Sequence, residues 1–267
     1  LRDVGLAGVV APTLQDLHGP GVDAFDEQLE ATEQIAGDEG LAAAGIFAAL
    51  GPHATDTVSE DAWKTIVEVA QRHDLTVHAH VAQSYDEFRR AFERHGLTPV
   101  RWLDRVGVLA DVPRLLAVHG IFVSDDDLTA FDPTRHTLGY CPLSQMQFCF
   151  PAAVRSWQRA GVPWVVGTDC APSNDAMNVQ RELAVVAGTR SLGPAHSEAY
   201  RRFRATGAMA EATALETERT AAFDDAATFG RPDVLLSKVW GTAGNLYPRA
   251  RCGALAPGAL ANLAVYD

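Results

Sequence analysis

Short apolar runs alternate along the chain with amphipathic stretches, which predicts repeated β-α units around a parallel sheet. The apolar runs are rich in Val, Leu, Ile and Ala and lack strict alternation, as is typical of strands covered on both faces. Six runs are predicted to be strands, at residues 5–12, 42–51, 75–81, 114–120, 136–141 and 163–169.

Helical spacing is clearest between the second and third predicted strands. Trp63, Ile66 and Ala70 recur at positions that form one apolar stripe on a helix. Thr57 and Glu60 have the spacing of a capping box, so we expect this helix to begin there.

The length of 267 residues suits one barrel or two ordinary domains. Polar residues lie at the carboxyl ends of predicted strands, where barrel enzymes carry their chemistry: His53, His80, His119 and Asp169. The predicted fold class is therefore α/β, a (β/α)8 barrel that lacks its first one or two strands. A doubly wound open sheet also accommodates six strands, but no Gly-rich loop follows an early strand to support nucleotide binding.

Composition narrows the function classes. The net charge of −12 argues against binding to a phosphate backbone, so we expect no nucleic-acid partner. No apolar run approaches the roughly 20 residues of a membrane helix, so no membrane partner is expected. The four cysteines form no C-x-x-C pair, which predicts a reduced, cytoplasmic location.

His78 and His80 are two residues apart in the third predicted strand, so both are expected to point into the barrel. An isolated pair of this kind is more often a hydrogen-bonded core pair than a metal site. Here His119 and Asp169 end two other predicted strands, and an Asp that closes an apolar run needs a cation or strong donors. Two His and one Asp together predict a site for Zn²⁺, Fe²⁺ or Mn²⁺.

Four segments stand out together: Gly51-Pro-His-Ala54 followed by Thr57-Val-Ser59, His78-Ala-His-Val81, Leu116-Ala-Val-His119, and Val166-Gly-Thr-Asp169 with Ser173-Asn174. In combination they resemble the cytosine-deaminase-like branch of the amidohydrolase superfamily, which includes S-adenosylhomocysteine and methylthioadenosine deaminases, guanine deaminase and triazine chlorohydrolases. The match runs in the family's order through nearly the whole chain.

The resemblance implies a role for each matching residue. His80 and His119 look like metal ligands of the fifth and sixth barrel strands. Asp169 looks like the eighth-strand aspartate, which binds or neighbours the metal and takes a proton from the attacking water. His53 looks like a substrate contact, and Ser173 and His78 complete the predicted substrate-binding residues. The implied cofactor is one divalent metal, zinc first, with iron or manganese as alternatives.

Two departures from the family pattern stand out. The family's first strand carries a His-x-His pair, and nothing before Gly5 can hold it. Together with Leu1 in place of a methionine, this predicts a longer parent protein whose amino-terminal part is missing here. Gln83 stands where related deaminases have a glutamate that protonates the ring, and an amide can donate a hydrogen bond but no proton. Gln83 is nevertheless the predicted catalytic position beside Asp169.

The family pattern also predicts the domain organisation. Residues 1–245 are expected to form barrel strands 3 to 8 with their helices, and residues 246–267 to begin the return to a small β-sandwich domain, with a strand at 262–266. Four of the remaining histidines lie in polar or charged surroundings and are expected to face solvent: His73, His95, His136 and His196.

The predicted function is a metal-dependent hydrolase that acts on a non-peptide C–N bond of a small aminated heterocycle, with deamination as the default. One alternative removes chloride or an amine from a triazine-type ring. A second alternative is an inactive or partial-domain fragment without a complete metal site. A sugar- or phosphate-processing barrel ranks last, because it would lack an inward histidine on each of two successive strands. Related enzymes are often dimers or larger, so a homo-oligomer is a further expectation.

Overall fold

The computed structural model describes residues 1–147, 152–189 and 197–259, with backbone alone for 222–228. Short strand segments lie side by side and every paired segment is parallel. The segments are β1 (Gly8–Val10), β2 (Thr13–Leu14), β3 (Ile46–Ala48), β4 (Gly51–Pro52), β5 (Thr76–Val81), β6 (Arg114–His119), β7 (His136–Tyr140) and β8 (Trp164–Val166).

These segments make six barrel strands. β1 pairs with β3 and β2 pairs with β4, so the first two barrel strands are each interrupted once. Bridges from Leu50 to Val77 and from Ala54 to His80 join them to β5, and β6, β7 and β8 follow in order. Across the described ranges the strands form an open arc. The predicted α/β class and the partial barrel with six strands are confirmed.

Helices alternate with the strands along the chain, and no strand follows β8 in the described residues. The helices are α1 (Phe25–Gly37), α2 (Glu39–Ala43), α3 (Glu60–His73), α4 (Tyr85–His95), α5 (Pro99–Arg105), α6 (Val108–Asp111), α7 (Pro142–Gln147), α8 (Val154–Arg159), α9 (Val179–Thr189), α10 (Glu198–Thr206), α11 (Met209–Phe229), α12 (Pro232–Ser237) and α13 (Gly241–Asn245). No helix in the described part of the chain is long and apolar enough to cross a membrane.

The apolar stripe of α3 is buried as predicted, with Trp63, Ile66 and Ala70 fully inaccessible to solvent. The predicted capping box is wrong. Ser59 is the N-cap, and its hydroxyl accepts from the Ala62 N–H at 3.1 Å. Thr57 lies too early to cap the helix, because its hydroxyl belongs to the preceding loop, where it accepts from the Ala54 N–H.

The predicted strands are longer than the observed ones, most clearly in two places. Residues 42–43 belong to α2, and the left-handed Gly45 (φ 77°) turns the chain into β3. The last predicted strand, 163–169, ends at Val166, so Asp169 lies in the loop that follows β8. The predicted strand at 262–266 lies outside the described residues, and the division at residue 246 stays a prediction.

The expectation that His136 faces solvent is wrong. It begins β7 and is 1% exposed, and its Nδ1 accepts from the Asp132 N–H at 2.9 Å. Burial lowers the pKa of His136 to about 4, so the ring is neutral at neutral pH. His73 and His95 are half-buried, and His196 lies outside the described residues.

Gly51 provides a test of the close approach between the first two barrel strands. A Cβ there would lie 2.6 Å from the Pro12 carbonyl oxygen and 2.9 Å from that of Ala11. Because both neighbours are backbone atoms, we expect Gly51→Ala to lower the free energy of unfolding by about 1–3 kcal/mol in urea titrations.

The matched control is Gly37→Ala, at the end of α1, where a Cβ would meet nothing within 4 Å. This variant should be neutral or stabilised by about 0.4–1 kcal/mol. Equal stability of the two variants would contradict the packing described for β2 and β4.

Candidate metal centre

Parallel pairing brings the predicted site residues to one end of the sheet. β5 and β6 pair in a register that places Val81 opposite His119, and β8 lies two strands further along. On β5, Val77, Ala79 and Val81 are buried while His78 and His80 are only partly buried. The two histidines therefore share one face of the strand, as the two-residue period predicts.

His80, His119 and Asp169 form the candidate metal centre. One possible ligand atom from each residue lies within 4.8 Å of the other two. The His80 and His119 rings stack with centroids 5.3 Å apart, and His119 Nε2 lies 3.9 Å from Asp169 Oδ2. Two imidazoles and a carboxylate suit Zn²⁺, Fe²⁺ or Mn²⁺, so the chemistry of this set fits a divalent metal.

A backbone carbonyl orients the His80 ring. The His80 Nδ1 lies 2.6 Å from the His53 carbonyl oxygen, which only accepts, so this nitrogen carries the proton. The lone pair of a neutral ring is then on Nε2, the atom left for a metal. Burial lowers the pKa of His80 and outweighs the raising effects of the His53 carbonyl and Asp169, so the ring is in its ligating form.

Two hydroxyl groups hold the Asp169 carboxylate. Ser144, on α7, donates to Oδ2, and Ser173 donates to the same oxygen at 3.0 Å. Burial opposes ionisation of Asp169, but these two bonds and the nearby His119 outweigh it and lower the pKa of the carboxyl. Asp169 is therefore ionised at neutral pH and is held in one orientation.

A second buried carboxylate supports the loop that carries Asp169. Glu182, on α9, is fully buried and accepts from the Leu143 N–H at 3.0 Å and from the Asn174 amide. The same Asn174 amide donates to the Thr168 carbonyl at 2.7 Å. The residue before Asp169 is thus tied to α9.

Three strand ends at this site have left-handed backbone in residues other than glycine. They are Ala82 (φ 55°) after β5, His119 (φ 77°) at the end of β6 and Asp169 (φ 60°) after β8. Such conformations are unfavourable for residues with a Cβ and persist where the surroundings impose them. Their grouping around the candidate metal centre indicates a functional site.

His53 lies beside the metal centre in the loop after β4. Its ring meets the His80 ring edge-on with centroids 5.1 Å apart, and its Nδ1 lies 3.1 Å from the Thr57 hydroxyl. Burial, then the neighbouring His80, lowers the pKa of His53. His53 is therefore neutral at neutral pH.

The other predicted substrate-binding residues have different surroundings. His78 lies two positions before His80 on β5, one layer deeper in the barrel, and burial lowers its pKa to about 4. Ser173 is occupied by Asp169, as described above. Gln83 is half-buried in the loop after β5. Substrate contact by His53, His78 and Ser173, and catalysis by Gln83, stay predictions.

Sequence reasoning missed several residues of this region, among them Ser144, Glu182 and Glu87. Ser144 lies four residues after the end of β7, but its contact with Asp169 depends on the pairing of β7 with β8. Glu87 is buried on the first turn of α4 with its carboxylate against the Gln83 N–H. Its position after Ser84, which caps α4, is the one signal that could have drawn attention to it.

Comparison with known proteins places these features in a family. A curated relative, 5-methylthioadenosine/S-adenosylhomocysteine deaminase 1 of Archaeoglobus fulgidus, is 32% identical over 144 residues, which cover 53% of this chain and 34% of the relative. The chain thus spans well under two thirds of the length of that relative.

Solved structures share the fold. An adenosine deaminase from Xanthomonas campestris with bound zinc superposes with a TM-score of 0.71 at 20% identity, covering 95% of this chain and 51% of that one. An atrazine chlorohydrolase from Arthrobacter aurescens TC1, complexed with zinc, gives a TM-score of 0.70 at 18% identity over 96% of this chain and 52% of that one.

The family profile described as "Amidohydrolase family" matches residues 6–217, which include all three residues of the candidate metal centre. This match covers most of the chain and agrees with the strand order, the ligand types and the position of the site at the strand ends. The chain therefore belongs to the amidohydrolase family.

Proposed function

We propose that this chain is the metal-holding part of a hydrolase that cleaves a C–N bond of an aminated heterocycle, with deamination as the reaction. The observation that carries the proposal is the convergence of His80, His119 and Asp169, with ligand atoms within 4.8 Å of one another. The names of the relatives, which include adenosine-type deaminases, support the substrate class.

The roles of the residues follow from their contacts. His80 and His119 would hold the metal through ring nitrogens, and a divalent ion bound there would lower the pKa of water and so supply a nucleophile at neutral pH. Asp169 is ionised and accepts the proton that the attacking water gives up. Because Ser144 and Ser173 both donate to Oδ2, the Oδ1 atom is the proton acceptor. His53 binds the ring of the substrate from the neighbouring loop.

Gln83 sets a limit on the chemistry. Its amide donates a hydrogen bond to a ring nitrogen but transfers no proton, and loss of a general acid costs on the order of 10²–10⁴ in rate. The second candidate, removal of chloride from a triazine-type ring, is favoured by this residue because chloride leaves without a proton. The atrazine chlorohydrolase among the structural neighbours is consistent with that alternative.

Zinc is the proposed ion, supported by the zinc named for two structural neighbours. The partner is a small heterocycle, and the net charge of −12 speaks against nucleic acid. A reducing cytoplasm is consistent with the absence of a C-x-x-C pair. Members of this family are often dimers or larger, so a homo-oligomer is also proposed. Residues 246–267 are proposed to begin the return to a small β-sandwich domain.

The metal centre is tested by elemental mass spectrometry of the purified protein. We expect about one divalent ion per chain, and its loss in His80→Ala and Asp169→Ala, because each variant leaves too few ligands. The control His95→Ala, at the end of α4, should keep the ion, since its ring stacks on Trp102 away from the centre. A wild-type protein that stays metal-free after reconstitution would contradict the proposal, as would variants that retain the ion.

Gln83→Glu separates the two candidate reactions. The introduced carboxyl supplies a proton donor for the ring nitrogen, which the Gln83 amide cannot do. For aminated purines, pterins and triazines we expect ammonia release to rise by on the order of 10²-fold. Chloride release from a chlorotriazine should stay within a few-fold of the wild-type rate. Unchanged ammonia release together with chloride release by the wild type would favour the second candidate.

A further inference from the structure

Glu87 is an ionisable residue that the proposed mechanism leaves without a role. It is 2% exposed, on the first turn of α4. Its Oε1 accepts from the Thr55 hydroxyl at 2.5 Å and from the Ala82 N–H at 3.0 Å, and its Oε2 accepts from the Gln83 N–H at 2.7 Å. All three donors are neutral groups, so the carboxylate is buried without charge compensation from them.

The bonding of Glu87 differs from that of an ordinary helix cap. Ser84 is the N-cap of α4, and its hydroxyl accepts from the Glu87 N–H at 3.1 Å. In a capping box the acid at this position returns to the N–H of the cap residue itself. The Glu87 carboxylate instead binds the two residues before the cap, so it holds the loop after β5 in addition to the helix end.

The loop after β5 has an unfavourable backbone conformation at Ala82. Ala82 has φ 55°, a left-handed conformation that residues with a Cβ rarely adopt. The N–H groups of Ala82 and Gln83 converge on one carboxyl group, and such pairs of successive N–H groups favour an anion. The anion thus stabilises the conformation that fixes Gln83 three residues after His80.

The same carboxylate reaches the neighbouring barrel strand. Thr55 lies two residues after His53, in the loop after β4. Glu87 therefore connects the loop that carries His53 to the loop that carries Gln83. Burial raises the pKa of the Glu87 carboxyl to about 7, although the bonds from Thr55, Gln83 and Ala82 lower it. A buried ionisable group with a strongly shifted pKa, next to a candidate active site, is typical of functional positions.

We propose that Glu87 is a positioning residue, which acts through Gln83 by holding the Ala82–Gln83 backbone against the His53 loop so that the Gln83 amide meets the substrate. This role rests on the proposed hydrolase function. Glu87 takes no part in metal binding and has no contact with the reacting atoms in this account.

The test compares Glu87→Gln with a matched variant, Asp127→Asn. Asp127 is also buried, and its carboxylate accepts from the Thr98 hydroxyl at 2.5 Å and the Ser124 N–H at 3.0 Å, neither of which belongs to a predicted site residue. In Glu87→Gln, an NH₂ group replaces one of the two carboxylate oxygens. It then faces an N–H or O–H donor from which it cannot accept a hydrogen bond. Thr55→Val, which removes one of the three bonds, serves as the milder second variant.

We expect Glu87→Gln to lower kcat by about 10- to 100-fold with little change in KM, because misplacing a group near the reaction is costly while binding groups remain. Metal content should stay at the wild-type value. Thr55→Val should show a smaller loss of the same kind. Asp127→Asn should lose thermal stability to a comparable extent and keep wild-type kcat.

A double variant shows whether Glu87 acts through Gln83. In a Gln83→Ala background we expect Glu87→Gln to cost less than about threefold, since the group that it positions is already gone. An equal fold-loss in both backgrounds would overturn the proposal, as would loss of the metal in Glu87→Gln or an equal loss of kcat in Asp127→Asn.

Amide hydrogen exchange keeps this test separate from that of the proposed function. Glu87→Gln should speed exchange at Ala82 and Gln83, and Asp127→Asn should not. If the wild-type protein hydrolyses no heterocycle, the proposed function fails, and faster exchange confined to these amides still supports the positioning of the loop. Unchanged exchange at both amides would overturn the role of Glu87 whatever the activity.

Discussion

The hydrogen bond from the His80 ring to the His53 carbonyl is the interaction on which the site depends most. That carbonyl also accepts the His80 backbone N–H at 3.1 Å, so one oxygen fixes both the strand and its ring. The bond adds to the single bridges, at Leu50 and Ala54 on either side of β4, that join this part of the sheet to β5. Because it assigns the proton of His80 to Nδ1, it also decides which nitrogen is left for a metal.

The rest of the site follows a common physical constraint: buried polar groups at the strand ends must be satisfied by specific partners. Asp169 is satisfied by two serine hydroxyls, Glu182 by Asn174 and a backbone N–H, and Glu87 by Thr55 and two backbone N–H groups. Each carboxylate ties one loop to another element. Rigid loops with left-handed residues at their bases are the result, and such preorganisation is what a catalytic centre needs.

Much of the fold could be predicted from the sequence because parallel strands buried on both faces leave a recognisable apolar pattern. The positions of His80, His119 and Asp169 at one edge follow from that pattern, since parallel strands end on the same side. The exact ends of the strands and helices could not be predicted from that pattern. β8 ends early, at Val166, and Thr57 bonds to His53 in the preceding loop and does not cap α3.

Contacts between distant residues were beyond the sequence. His136 has Arg135 and Thr134 beside it and was expected to face solvent, yet β7 is an inner strand and buries it. Ser144 meets Asp169 only because β7 pairs with β8, and Glu87 meets Ala82 only because that residue adopts a positive φ. The local sequence does not reveal the pairing of β7 with β8 or the positive φ of Ala82. These partners can therefore be identified only from the three-dimensional structure.

The identity of the atoms that bind the metal is the central claim, and X-ray absorption at the zinc edge of the zinc-loaded protein tests it directly. The account predicts nitrogen and oxygen scatterers at about 2.0–2.1 Å with the outer-shell signal of two or more imidazoles, which weakens in the His119→Ala variant. A sulfur scatterer at about 2.3 Å would assign the ion to Cys141 or Cys170, both close to Asp169, and would contradict the account.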